Sequence, residues 1–435
     1  MSQRVVITGI GIVCPLGNDV ATMWGNILNC RSGMAATTIF DASTFPTKFC
    51  AEVKNFDITK YTKNPKLHEQ GNRHSRFTIG ATAEACKQAK IDIETEKPND
   101  GIDRRRMGIY LGAGEGSVDN ENFFNAIVQG WDDANNNMDW NKWAAVAFVK
   151  MTAYRELEQE PNMPAAHLAM FTGARGPVRS CLTACAASTQ AVGEAFKILQ
   201  SGRADCIIAG GAHSMIHPLG ITGFNRLTAL STRNDSPQTA SRPFTASRDG
   251  FVIGEGAAIV ILETLESAKK RGVEILAEVI GYGSSNDAFR VTDMREDARG
   301  AVAAIESALK DARLINKDID YVSTHGTSTS ENDSIETLAL KTVFKEEAKN
   351  TPVSSVKSMF GHLIGAAGAA ELITCILAIR DNILPPTINY NDPDPNLDLD
   401  YVPNKPRKAD VNIAMDDSFG FGGQNNVVIV KRYNP

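Results

Sequence analysis

Short β-branched and aliphatic runs alternate along the chain with longer segments whose apolar positions recur every three to four residues. Residues 5–13, 107–111, 206–209, 258–262, 321–324, 411–415 and 427–430 read as buried strands. Helical periodicity is clear over 77–89, 186–200, 298–314, 333–344 and 366–380. Strand–helix alternation over such a length predicts an α/β protein with largely parallel sheets covered on both faces. With 435 residues and 43% apolar content, the chain is long enough for a large core and two domain-sized units.

Two departures from this rhythm are informative. A small-residue helix opens at Cys185 and leads to Gly202 and the strand around Ile207. A second opens at His362, runs through Gly365-Ala366-Ala367-Gly368-Ala369-Ala370 and leads to Leu384-Pro385. This internal echo predicts two similar halves, each offering one corner to a shared site. The segment Trp131 to Trp143 stands apart, with three tryptophans, Asp132-Asp133 and Asn135-Asn136-Asn137. It reads as a surface loop or short helices capped by Asp and Asn, placed to cover a substrate tunnel or simply as surface elaboration.

Charge and cysteine content narrow the classes. A net charge of −6 with acids and bases intermixed argues against nucleic acid or an anionic membrane as the main partner. The eight cysteines, at 14, 30, 50, 86, 181, 185, 206 and 375, form no C-x-x-C pair, so neither a zinc knuckle nor a disulfide framework is suggested. Buried thiols in a reducing, cytoplasmic setting fit. The first residues run directly into a strand and read as no signal peptide, and no apolar run reaches the roughly 18 residues of a spanning helix.

The chemistry concentrates at three corners: Thr183-Ala184-Cys185, His325-Gly326-Thr327-Ser328-Thr329, and Lys357 to His362. A thiol is a strong nucleophile only as thiolate, and a helix N-terminus favours the anion, which is where Cys185 is placed. Cys181 falls in the preceding strand. Two neutral imidazoles aimed at one thioester oxygen would stabilise an enolate, and a glycine beside each histidine admits close approach. His68, His74, His167, His213 and His217 read as ordinary, satisfied core histidines. Asp333 and Glu336 share a helix face and, with Glu371, are candidate counter-charges for Lys357, the alternative being a solvated face. The Gly420-Phe421-Gly422-Gly423 turn either offers an N–H to an oxyanion and a gating ring, or is a tight turn with one core aromatic. Its spacing matches no nucleotide-binding loop.

With these corners, the stretches Val5 to Gly11, Ser241-Arg242-Pro243-Phe244, Arg248 to Gly256, Gly365 to Gly368 and Ser418 to Gly423 make the chain resemble the β-ketoacyl-acyl carrier protein synthases. These are condensing enzymes of the thiolase superfamily, and the likeness is to the type II elongating members. It covers nearly the whole chain. It implies a thiolase-like five-layered αβαβα fold of two duplicated halves, 1–263 with the nucleophile and 264–435 with both histidines, and usually a homodimer. It further implies that Cys185 takes an acyl group from an acyl carrier protein or coenzyme A thioester, with its own N–H and that of Phe421 holding the oxyanion. His325 and His362 would hold the malonyl thioester during decarboxylation. Lys357 matches the family lysine, Asp333, Glu336 and Glu371 the acids around it, Thr327 and Thr329 the phosphopantetheine contacts, and Phe421 the gating ring. No metal or redox cofactor is implied, since loss of CO₂ drives the carbon–carbon bond; the phosphopantetheine arm arrives on the carrier protein.

The chain departs from the family pattern at Arg290 (usually His), Asp417 (commonly Asn), Thr245 (an Asp), Gln424 (a common Thr) and over 132–160, which is longer than usual. None of these removes a catalytic residue. The contrasting reading is a non-catalytic partner subunit of the chain-length-factor kind, which generally lacks the nucleophile. A thiolase would carry a second cysteine near the C-terminus, where this chain has Phe421, and an initiating synthase would carry Asn at 362. Lys66, Arg73, Arg76 and Arg104-Arg105-Arg106 are the basic residues that an acidic carrier protein would meet.

Overall fold

The computed structural model describes residues 3–435 except 115, 117 and 118. Ten strands form one continuous sheet: β1 (Val5–Val13), β2 (Met107–Ala113), β3 (Val178–Cys181), β4 (Cys206–His213), β5 (Gly256–Thr264), β6 (Ala277–Asn286), β7 (Tyr321–Ser323), β8 (Val353–Ser354), β9 (Ile413–Gly420) and β10 (Gln424–Lys431). Their order is β8-β7-β9-β10-β6-β1-β5-β4-β2-β3. From the centre outwards each half repeats one pattern, first-fifth-fourth-second-third. In each half the two inner pairings are antiparallel and the two outer ones parallel. The halves meet where β1 runs antiparallel to β6, at Val5↔Val279, Val6↔Glu278 and Ile7↔Ala277.

Two pairs of long helices, one outside and one in the middle, complete the layers. We label α1 (Arg73–Gln88), α2 (Asn120–Gly130), α3 (Trp140–Lys150), α4 (Ala187–Gln200), α5 (Arg299–Ala312), α6 (Ser330–Phe344) and α7 (Ala367–Asp381). Helix α1 covers β1 and β5 on one outer face, and α5 covers β6 and β10 on the other. Helices α4 and α7 pack on each other and on strands of both halves, which makes them the middle layer. Thirteen of the fifteen residues of α7, Ala367 to Ile379 without a break, are buried, as expected for a helix covered all round. The five-layered αβαβα arrangement follows.

The outer helices approach closely because the facing strand has no side chains there. A Cβ on Gly11 of β1 would overlap the carbonyl oxygen of Ala81 in α1, and one on Gly283 of β6 that of Ala304 in α5. The motifs Gly9-Ile10-Gly11 and Gly281-Tyr282-Gly283 are thus the same device used twice.

Two expectations are corrected. The sheet is not largely parallel: its inner pairings are antiparallel, β9 turning straight into β10 and β4 pairing antiparallel with β5 after a connection, 214–255, that holds the short helix Pro218–Arg226. Strand β6, the longest of all, lies outside the runs read from sequence, its glycines and serines diluting the apolar signal. The stretch Trp131 to Trp143 is a hairpin of two two-residue strands (Trp131–Asp132 with Asn137–Met138) after α2, followed by the first turn of α3, with Asp139 capping α3 through the N–H groups of Asn141 and Lys142.

Candidate functional site

Cys185 stands at the turn from β3 into α4. A single 3₁₀ turn, Ala184–Ala186, makes that corner, and Ala184 takes φ 48°. The second half repeats the corner as Ile364–Ala366 before α7, with Ile364 at φ 47°. A left-handed alanine is uncommon and a left-handed β-branched residue is an outlier, so both corners are strained. The repeat corrects the sequence echo. Cys185 corresponds to Gly365, and His362 lies three residues earlier, on its own support. The His362 N–H donates to Val252 O at 2.7 Å and its carbonyl accepts from Gly254 N at 2.8 Å, a strand-like splice. Gly361 at φ 75° turns the chain into it.

His325 follows β7. Its N–H donates to Oε1 of Glu336 (2.7 Å) and Oδ1 of Asp417 (2.8 Å), and the Gly326 N–H donates to Oε2 of Glu336 (2.8 Å). The three side chains meet: one donor atom each of Cys185, His325 and His362 lie within 4.8 Å of one another. The imidazoles stand edge to face, 5.3 Å between centroids at 84°. Phe251 meets His362 (5.2 Å, 82°) and Phe419 meets His325 (6.1 Å, 75°) in the same way, walling the pair with apolar rings.

Lys357 is buried, with Nζ paired to Glu371 and 3.3 Å from Nδ1 of His325. An ammonium only donates, so Nδ1 accepts and the ring hydrogen sits on Nε2, the atom left for a ligand. Burial, then the Lys357 charge, hold both imidazoles well below the ordinary histidine value, so both are neutral near pH 7. Both ring nitrogens of His362 lack a partner among the described residues.

The thiol behaves otherwise than the helix-terminus argument predicts. Burial pushes Cys185 up to about 11, outweighing the opposing pull of the Lys357 charge and of the N–H groups of Phe421 and Cys185 itself. The resting group is a thiol. Those two N–H groups converge on the sulfur, which is the geometry of an oxyanion hole. Phe421 owes its place to a three-residue hairpin, Phe421-Gly422-Gly423, joining β9 to β10. Gly422 (φ 81°) and Gly423 (φ 71°) take the left-handed conformation, and the Gly422 N–H is tied to Val291 O at 2.7 Å.

A cavity of about 340 Å³ opens over this centre, lined by Cys185, both histidines, Thr327, Thr329, Phe419 and Phe421, among others. Thr327 and Thr329 are hydrogen-bonded to each other (Oγ1···Oγ1 2.9 Å), and Thr329 caps α6. Sequence reasoning missed much of the wall, including Phe224, Leu227 to Ala229, Arg248, the Thr292-Asp293-Met294 loop and Asn332. The Arg248-Asp249-Gly250-Phe251 run was the available signal. Exposed Arg290 pairs with Asp293 at 3.0 Å on that loop.

The acids divide their tasks. Only Glu371 pairs with Lys357. Glu336 braces the backbone of the His325 turn. Asp333 accepts from Ser328 N (3.2 Å) and Phe244 N (2.8 Å) and lies 3.7 Å from Arg248. All three are fully buried, so the solvated-face alternative fails. His74 is no satisfied core histidine: neither ring nitrogen has a partner among the described residues, and burial lowers it to about 4. Nε2 of His213 is likewise unpartnered. His68 and His167 do pair, Nδ1 to Nδ1 at 2.9 Å, and His217 caps a helix through Gly220 N at 3.2 Å. Of the basic residues, Arg104 is buried against Asp100 (2.6 Å) and Arg73 is held by Glu255. No residue from 119–162 lines the cavity.

Residues 2–268 match the beta-ketoacyl synthase N-terminal domain and residues 276–391 its C-terminal domain. Over 432 residues the chain is 40% identical to 3-oxoacyl-[acyl-carrier-protein] synthase 2 of Staphylococcus aureus (strain COL), covering 99% of each chain. Over 431 residues it is 39% identical to the protein of that name from Coxiella burnetii, again covering 99% of each. Among solved structures it matches the AntDE ketosynthase, determined with its type II PKS acyl-carrier protein AntF, at a TM-score of 0.87 and 33% identity over 100% of both chains. By its matched domains, its full-length relatives and its Cys-His-His centre, the chain belongs to the β-ketoacyl synthase family.

Proposed function

We propose that this protein is a β-ketoacyl-acyl carrier protein synthase, an acyltransferase that joins an acyl thioester to malonyl-acyl carrier protein with loss of CO₂, in fatty acid or related biosynthesis. The observation that carries this reading is the convergence of one thiol and two neutral imidazoles within 4.8 Å beneath an open cavity.

The residues suit the steps. The Cys185 sulfur attacks the acyl carbonyl while its proton leaves. Nδ1 of His325 faces an ammonium, so His362, with two free nitrogens, is the group able to receive that proton and pass it to the departing carrier thiol. The oxyanion rests on the N–H groups of Cys185 and Phe421. Malonyl thioester then enters with its carbonyl on Nε2–H of His325 and an N–H of His362. CO₂ departs, the enolate attacks the acyl-cysteine, and the sulfur leaves as thiolate and is reprotonated. Thr327 and Thr329 line the route for the phosphopantetheine arm. No step needs a resident cofactor.

An acyl carrier protein as partner is supported by the AntDE complex. A second copy of the chain is supported by the edge strand β3, by Phe148 at 91% exposure and by the exposed Trp140, Val149 and Tyr154 on and beside α3. The chain-length-factor reading finds no support in a site that keeps nucleophile and both histidines. The halves 1–263 and 264–435 remain our division of labour, one bringing sulfur and the other nitrogen. The test is loading of labelled acyl-carrier protein on the wild type and on Cys185→Ala, followed by malonyl-carrier protein. A label that persists on the alanine variant, or a wild type that releases no CO₂, overturns the reading.

A further inference from the structure

Five carboxyl groups, on Asp333, Glu336, Glu371, Asp416 and Asp417, are fully buried around the histidine corners. Two have cations: Glu371 has Lys357 and Asp333 has Arg248. Glu336, Asp416 and Asp417 have none among the described residues. Buried anions without counter-charges take up protons instead.

Alternation along β9 sends the two neighbouring aspartates to opposite faces. Asp416 faces the middle layer, where Thr189 donates to it at 3.4 Å. Asp417 faces the His325 corner. There the single N–H of His325 is shared between Oδ1 of Asp417 and Oε1 of Glu336, at 2.8 and 2.7 Å. Two carboxyl oxygens that take the same N–H lie within reach of each other, and neither carboxyl group has a cation beside it among the described residues. Two buried carboxylates that close, with no counter-charge, are relieved of their repulsion when one proton lies between them.

We propose that Glu336 and Asp417 share one proton, and that this carboxyl–carboxylate pair is the positioning element that fixes the backbone of His325. The proposal rests on the condensing reading only for its kinetic readout.

The surroundings agree. Asp333 and the Asn332 amide approach Glu336 from its own helix, with Nδ2 of Asn332 at 3.1 Å. Asp416 from β9 and Glu371 from α7 add negative charge around Asp417. Lys357 is committed to Glu371 and the neutral His325 ring. Burial pushes Glu336 well above the ordinary carboxylate range and Asp417 up to about 7. The pair therefore loses its proton as the medium turns alkaline. Two adjacent charges then repel across the His325 N–H. Because these values are raised above those of the unfolded chain, the stability they contribute is complete in acid and falls as pH rises through neutrality.

Asp417→Asn keeps the shape, and its amide donates permanently to Glu336. In the full-length protein, infrared spectroscopy at neutral pH should show a protonated-carboxyl band in the wild type that weakens at alkaline pH. The band should lose one group's intensity in Asp417→Asn. The alkaline limb of the malonyl decarboxylation profile should flatten in the same variant, and its melting temperature should fall less from pH 6 to pH 9. Glu336→Gln gives the same spectral change if the first variant folds poorly. A band and an alkaline melting slope untouched by both substitutions overturn the proposal. A chain inactive toward every thioester that still shows the band sinks the condensing reading alone.

Discussion

The ammonium of Lys357 lies 3.3 Å from Nδ1 of His325 and is closed on its other side by the carboxylate of Glu371. One buried cation thus fixes which nitrogen of His325 carries hydrogen and neutralises a buried acid. Lys357→Met removes both services. Malonyl decarboxylation should fall by about 10²-fold or more, as for loss of one transition-state donor. The unpaired Glu371 should destabilise the fold by about 3–5 kcal/mol. Adding Glu371→Gln should restore most of the stability and none of the rate. Urea denaturation and CO₂ release separate the two effects.

The resting state of Cys185 is open to direct measurement. With the thiol pushed up to about 11, its anion is roughly one part in ten thousand at pH 7. Alkylation by iodoacetamide, followed by mass spectrometry, should rise about tenfold per pH unit from 7 to 9. A plateau below pH 8 would mean that the N–H groups of Phe421 and Cys185 outweigh burial.

The two imidazoles should fail differently. His325→Ala should still acquire an acyl group on Cys185 and lose decarboxylation by about 10²–10³-fold. His362→Ala should lose acyl loading as well, because Nδ1 of His325 faces an ammonium and cannot take the thiol proton. Intact-protein mass after exposure to acyl-carrier protein reads loading; CO₂ release reads the second step. Equal loading by both variants contradicts this division.

The glycines of β1 and β6 should be equally intolerant. Gly11→Ala and Gly283→Ala each drive a methyl group into a helix carbonyl. Each should cost about 3 kcal/mol or more, whereas Gly25→Ala, with open space around it, should be nearly neutral. Chemical denaturation of the three variants tests it.

The chemistry was more legible in the sequence than the framework. Cys185, His325 and His362 sit at Gly- or Ala-flanked corners, and local punctuation of that kind survives in one dimension. Strand direction does not: the antiparallel inner pairings depend on the β9–β10 hairpin and on the return to β5, neither of which hydrophobic periodicity marks. Glycine diluted the apolar run of β6, although Gly281-Tyr282-Gly283 repeats Gly9-Ile10-Gly11 and would have revealed the strand. The acids were placed on one face correctly but assigned one master. Whether Asp333 reaches Lys357 or Arg248 is decided by a distant chain segment, Phe244 lying 89 residues away in sequence and Arg248 close beside it. The thiol was expected to ionise because a helix end is local, while burial, which won, is a property of the whole fold.

The left-handed bend at Ile364 has a history to tell. Its counterpart Ala184 delivers sulfur to the cavity, yet Ile364 precedes a glycine with nothing to deliver. A distortion costing on the order of 1–3 kcal/mol has been kept where no reagent hangs from it. The bend therefore serves the seating of the two central helices against each other, and the nucleophile occupies an architectural kink that the scaffold requires with or without catalysis.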